Sequence, residues 1–235
     1  MRKQVPLRGT EIPTGDIGIT SNTGVFCMRK LFIGCYNPSI ILTYMGTISA
    51  ITGIGVLLSN KTLGSIEPMG VAMIALIISG LCDMFDGAVA RRCKRTEQEK
   101  EFGIQLDSLS DTVSFVAFPA CMLIRMTDFH IVGLLIAALY VFTGIMRLGW
   151  FNITTETSGG IYSGLPVTFA AVIFPTFYLI LSFLKLGYTA LIFQCLFALV
   201  AILFVTNFKT KKIGIKKLSL LIIPAVLGIV ALILL

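Results

Sequence analysis

Stretches of about twenty apolar residues recur along the chain, near 38–58, 69–91, 104–125, 131–150, 164–184, 187–207 and 218–235. At 1.5 Å of rise per residue, each is long enough to cross a hydrocarbon layer of about 30 Å. A bilayer offers the backbone no water to bond, so each such stretch must be helical. With 56% hydrophobic residues and 13% charged among 235, and a mean hydropathy of +0.91, the chain reads as an all-α integral membrane protein. A soluble core needs far less apolar length.

Charge orients the spans. With the N-terminus inside, sixteen of the nineteen Lys and Arg residues fall on cytoplasmic segments, and Lys61, Arg125 and Lys185 are the exceptions. The positive-inside rule then predicts a multi-pass protein of the cell (cytoplasmic) membrane. The formal charge of +7 is explained by this asymmetry and by anionic membrane lipid, so no nucleic-acid partner is expected. Residues 1–24 form a polar cytoplasmic tail, without the apolar run of a signal peptide. Val25 to Ile33 mixes apolar and basic residues at helical spacing, which suits a short interfacial helix or an extension of the first span. The six cysteines show no C-x-x-C pair, so a structural zinc site is not expected. No internal repeat of the kind common in transporters is visible.

Four aspartates stand against this apolar background. Asp83 and Asp86 fall at the end of the second span, and Asp107 and Asp111 at the start of the third. A central Asp costs about 2.5–3.5 kcal/mol to insert, less near the interface, so four in two helices call for a cation or a function. The spacings i, i+3 and i, i+4 put each pair on one helix face. A short basic loop over 92–102 makes the two helices antiparallel neighbours, bringing the carboxylates together beneath the cytoplasmic surface. Oxygen-only ligands favour Mg²⁺ or Mn²⁺, or Ca²⁺, over zinc or copper. Two such ions would balance the four charges, and a two-metal site suits phosphoryl transfer. The plainer reading is a set of interhelical caps or ion pairs with Arg91, Arg92 and Lys94. Gly87 either lets a ligand approach the backbone or serves tight packing with Ala88 and Ala90. Arg91 either meets phosphate or anchors the helix at the interface.

The string Asp83-x-x-Asp86-Gly87-x-x-Ala90-Arg91, followed by Gly103-x-x-x-Asp107-x-x-x-Asp111, resembles the signature of the CDP-alcohol phosphotransferase family. Eleven residues separate Arg91 from Gly103, longer than the family's usual spacing, and the excess falls in the charged loop. The resemblance implies an N-terminal interfacial helix, a core of six transmembrane helices over 25–207 and a homodimer. A basic cytoplasmic loop (208–217) and an additional C-terminal transmembrane helix (218–235) lie beyond that core. It implies two Mg²⁺ or Mn²⁺ ions per site on Asp83, Asp86, Asp107 and Asp111, with Asp111 also the catalytic general base. Gly87, Ala90, Arg91 and Gly103 would bind the CDP-lipid, CDP-diacylglycerol, and CMP would leave.

The acceptor is read from finer likeness. Leu106 to Phe115, Ala117-Phe118-Pro119-Ala120, Arg147-Leu148-Gly149-Trp150-Phe151-Asn152 and Gly164-Leu165-Pro166 are similar to stretches in the serine-using members of the family. L-serine is therefore the expected acceptor, with Arg147 and Asn152 as candidate acceptor ligands. Arg147 suits a carboxylate, but it also suits an anchor that snorkels to the interface. Asn152 either bonds substrate or caps a loop. Thr43, in Asn37-Pro38-x-x-x-x-Thr43, matches only loosely a Pro-Asn-x-x-Thr stretch of the family's first span. Glycerol 3-phosphate or inositol phosphate as acceptor, or transport of a divalent cation through the carboxylates, are the competing functions. A purely structural membrane scaffold would leave the acids unexplained.

Overall fold

The computed structural model describes residues 34, 37–59, 62, 66–154, 161–185, 187–211 and 222–234. The polar tail and the interfacial helix expected at 25–33 lie outside them. Within the described residues the chain forms eight α-helices, two 3₁₀ turns, one π-helical segment and one pair of three-residue strands. Five helices are long and apolar enough to cross a membrane, as a multi-pass integral membrane protein requires.

α1 (Ile41–Ser59) is entered through a 3₁₀ turn, Pro38–Ile40, whose cap is Asn37; the Asn37 side chain accepts a bond of 3.1 Å from the Ser39 N–H. Proline at the first helical position loses nothing there, because that N–H has no intrahelical partner. α2 (Pro68–Ala90) also opens on a proline, though its cap residue, Glu67, makes no side-chain cap bond. α3 (Glu97–Asp111) continues through a π-helical segment, Thr112–Ala117, into α4 (Phe118–Met126), together thirty residues long. α5 spans Ile131–Thr154, α6 Ala170–Leu184, α7 Thr189–Val205 and α8 Ile222–Leu234.

The loop expected over 92–102 is shorter than its charge suggests. Helix α3 begins at Glu97 because Thr96 and Glu99 form a capping box: Thr96 Oγ1 accepts from the Glu99 N–H at 3.2 Å, and Glu99 accepts from the Thr96 N–H at 2.8 Å. Two orphan donors are satisfied reciprocally, and the two acids in the first turn suit the positive helix end. Polar residues 97–103 thus extend the third helix beyond its apolar run.

Helices α1 and α2 approach through small residues, and Ser79 Oγ donates to the Gly46 carbonyl at 2.8 Å while Ser49 Oγ donates to the Ala75 carbonyl at 3.0 Å. Close backbone approach and interhelical hydrogen bonds are what hold helices together in lipid, where apolar burial alone discriminates little. α5, α6 and α7 instead share aromatic packing. Phe174 and Phe197 stack with ring centroids 4.0 Å apart, and Tyr140 meets Phe197 edge-on at 4.9 Å.

Tyr140 also repairs the third helix. Pro119 has no N–H to give the Phe115 carbonyl four residues earlier. The buried Tyr140 hydroxyl donates to that carbonyl at 2.7 Å, so the break is satisfied from a neighbouring helix.

One short strand pair accompanies the helices without changing the all-helical class. β1 (Ile161–Ser163) pairs antiparallel with β2 (Lys209–Lys211), Tyr162 opposite Thr210. Beyond the pairing, the Gly164 N–H donates to the Phe208 carbonyl at 2.9 Å and the Leu165 N–H to the Leu203 carbonyl at 3.2 Å. The chain entering α6 is thereby laid across the end of α7.

Candidate active site

The end of α2 and the start of α3 bring the acids together. Asp83, Asp86 and Asp107 each present a carboxylate oxygen within 4.8 Å of the other two. Asp111 lies within hydrogen-bonding reach of Asp83, one helical turn beyond Asp107. The helical spacing explains the convergence: i, i+3 on one helix faces i, i+4 on its neighbour. Directly after Asp111 the helix widens into its π segment, a local change of pitch that often accompanies functional sites.

Support comes from α1. Thr43 Oγ1 donates to Asp86 Oδ2 at 3.1 Å, Ser110 Oγ donates to the Thr43 carbonyl at 3.2 Å, and Thr47 and Ser110 share a hydroxyl bond of 2.6 Å. Thr43, only loosely matched in sequence, therefore stands directly behind an acid. An oxygen-rich cluster whose members are fixed by further hydrogen bonds fits a hard divalent cation such as Mg²⁺ or Mn²⁺.

The acids open on a cavity of about 450 Å³, within the range of small-molecule sites. Asp83, Asp86, Asp107 and Asp111 line it together with Gly87, Arg91 and Arg147. The cavity is closed on other sides by Pro166 to Phe169 at the entrance to α6 and by Phe151. No sequence signal beyond Gly164-Leu165-Pro166 points to that entrance segment. Gly80 brings α6 close, since a Cβ there would stand 2.5 Å from that of Ala171.

Of the other sequence-derived candidates, Gly87 faces Arg91 and Gly103 faces Arg95: a Cβ on either glycine would stand 3.5 Å from a guanidinium nitrogen. Ala90 and Gly103 are not among the residues that line the cavity. Arg147 does not snorkel. It is 6% exposed, its Nε donates to the Leu165 carbonyl at 3.1 Å, and its guanidinium lies 5.5 Å from the centre of the Phe151 ring. Asn152 is outside the lining; its side-chain oxygen accepts from Ser108 Oγ at 3.0 Å, tying α5 to α3 one residue beyond Asp107. His130 sits in the exposed turn between α4 and α5.

Gly164 stands behind Arg147. Its φ of +77° is one that side-chain-bearing residues rarely adopt, and a Cβ would lie 2.9 Å from the Phe204 carbonyl and 3.4 Å from Arg147 Nε. The Leu165 carbonyl that receives Arg147 is placed by this glycine.

Residues 37–206 match the family model for CDP-alcohol phosphatidyltransferase. The archaetidylserine synthase of Methanothermobacter thermautotrophicus is 38% identical over 112 residues, 47% of this chain and 47% of that protein. A CDP-diacylglycerol–serine O-phosphatidyltransferase of Helicobacter pylori is 32% identical over 159 residues, 63% of this chain and 65% of that protein. One of Methanocaldococcus jannaschii is 28% identical over 188 residues, covering 80% of this chain and 78% of its relative. The chain thus spans about half of the first relative's length and just under two thirds of the second's.

Proposed function

The chain belongs to the CDP-alcohol phosphatidyltransferase family, and on that premise we propose that it transfers the phosphatidyl group of CDP-diacylglycerol, or of a CDP-lipid with another backbone, to the hydroxyl of L-serine. The observation that carries this reading is a single cavity lined by four carboxylates and two guanidinium groups. Acids to hold cations, cations to meet pyrophosphate and a further buried arginine for the acceptor are what the two substrates require together.

Asp83, Asp86 and Asp107, with Asp111, would hold two Mg²⁺ or Mn²⁺ ions. Bound there, divalent cations would neutralise the pyrophosphate and polarise a phosphoryl oxygen. Arg91 would share in binding the pyrophosphate, and Gly87, Ala90 and Gly103 would leave room for the nucleotide at the end of α2. Asp111 acts as general base: it takes the proton of the serine hydroxyl as that oxygen attacks the lipid-bearing phosphorus. The phosphorus–oxygen bond to CMP breaks as the new one forms, and CMP departs with the bridging oxygen. Arg147 pairs with the serine carboxylate. Asn152 acts on the acceptor side through Ser108, holding α3 in place next to Asp107.

The architecture that accompanies this reading is a homodimer in the cell membrane, its active site facing the cytoplasm. The core of six transmembrane helices, over 25–207, would take the seventeen-residue α7 as its last member, and α8 would be the addition beyond the basic loop 208–217. The names of the relatives support serine, and the charge asymmetry of the loops supports the orientation.

The test is CMP release by the purified protein from CDP-diacylglycerol with Mn²⁺ or Mg²⁺, comparing serine, glycerol 3-phosphate, inositol and inositol phosphate. Serine-dependent release that is lost on chelation and restored by metal is the expected result. Release with another alcohol would retain the transfer chemistry and discard serine. No release with any acceptor, together with divalent-cation flux in proteoliposomes, would replace the reading with transport.

A further inference from the structure

Helix α8 lies beyond the residues that match the family model, yet it reaches the same cavity. It packs against both α2 and α6. Ala225, Ile229 and Leu232 turn toward the protein, with Leu232 only 2% exposed, whereas Val226, Leu227 and Val230 face outward. Gly228 faces Ile77 of α2 and Leu179 of α6: a Cβ there would make ordinary contacts of 3.6 and 3.9 Å with their Cδ1 atoms. Ile77 lines the cavity, and so does Ala225. The cavity therefore runs from the carboxylates to α8.

Its lining is mixed: Asp83, Asp107 and Arg91 are joined by Ile77, Leu81, Met84 and Val172, and of these Ile77 stands against α8, opposite Gly228. Of the substrate's parts, a hydrocarbon chain is the one with no polar group to satisfy, so an aliphatic wall of this kind suits it best. Resting on the reading of the substrate given above, we propose that α8 is the outer wall of a lipid-chain groove between α2 and α6. One hydrocarbon chain of the CDP-lipid lies against Ala225, and the side chain at this position sets how bulky that chain can be.

The experiment uses the full chain, purified, with serine and metal, and compares CDP-dioleoylglycerol with CDP-dibutyrylglycerol, whose chains are too short to fill the groove. Ala225→Phe should lower kcat/KM for the dioleoyl substrate about tenfold or more, and that for the dibutyryl substrate far less, since small changes of pocket volume discriminate by about 10- to 200-fold. Ala225→Val, a milder change that the helix should accommodate, should discriminate in the same sense but less. Val226→Phe, on the outward face, should alter neither. Equal losses on both substrates with Ala225→Val, or no loss on either with Ala225→Phe, would overturn the groove. If the unaltered protein released CMP from neither lipid, the transferase reading itself would fail, and the groove with it.

Discussion

Thr43 on α1 donates a hydrogen bond of 3.1 Å to Asp86 on α2, with both side chains buried. The bond constrains which way the carboxylate turns and occupies one acceptor site on Oδ2, while Asp86 also presents an oxygen within 4.8 Å of those of Asp83 and Asp107. Partners of this kind orient a ligand that they do not share with the metal, and losing one costs about 10- to 100-fold in metal affinity or activity. Thr43→Val keeps the shape and removes the hydroxyl. The Mn²⁺ concentration for half-maximal CMP release should rise by about that factor, with little change in melting temperature. An unchanged metal requirement would show that Asp86 is oriented without Thr43.

Asp111 is the acid assigned to proton transfer, and its neutral isostere separates that role from packing. Asp111→Asn should lower CMP release by about 10²- to 10⁴-fold, the usual contribution of a positioned base. The protein should still insert and melt near its normal temperature. An active variant would remove Asp111 from the base role and leave it as a member of the metal cluster.

Tyr140 bonds the carbonyl that Pro119 cannot serve. Interhelical hydrogen bonds in membranes contribute about 0.6 kcal/mol on average, because the separated helices find other partners. No intrahelical donor at i+4 replaces this one, so Tyr140→Phe should cost more, about 1–3 kcal/mol, as for a buried acceptor left unpaired. Thermal unfolding in detergent measures it. A loss no larger than the average would mean that the π segment rearranges to use the Phe115 carbonyl.

What the sequence discloses, and what it withholds, follows from the range of the interactions. The aspartates are legible because an acid in an apolar helix is expensive and because two spacings on adjacent helices leave one place for them to meet. Asn37-Pro38 is legible as a helix start for equally local reasons. The capping box at Thr96 and Glu99 is local too, but a run of charge around it reads as loop, and the helix starts seven residues before the expected 104. The π segment has no signature beyond Pro119. Its partner Tyr140 is twenty-five residues away, and only the folded arrangement joins them. Ala225 is less legible still: an alanine in an apolar helix carries no mark of facing a cavity.

Arg147 is where local and distant readings meet. Its position near the end of the apolar run 131–150 suits an interfacial anchor, but its burial and its bond to the Leu165 carbonyl keep it at the cavity wall instead. Nε donates to that carbonyl, so a ligand in the cavity would be met by the terminal nitrogens. If they receive the serine carboxylate, Arg147→Ala should raise the KM for serine about 10- to 100-fold, as expected for losing hydrogen bonds to a charged group. The KM for the CDP-lipid should move little. Arg147→Lys should recover only part of the loss, because a point charge cannot hold one carbonyl and present a planar fork at once. If Arg147 serves only to pin the segment before α6, the outcome differs: both KM values should rise together, and the melting temperature should fall with them.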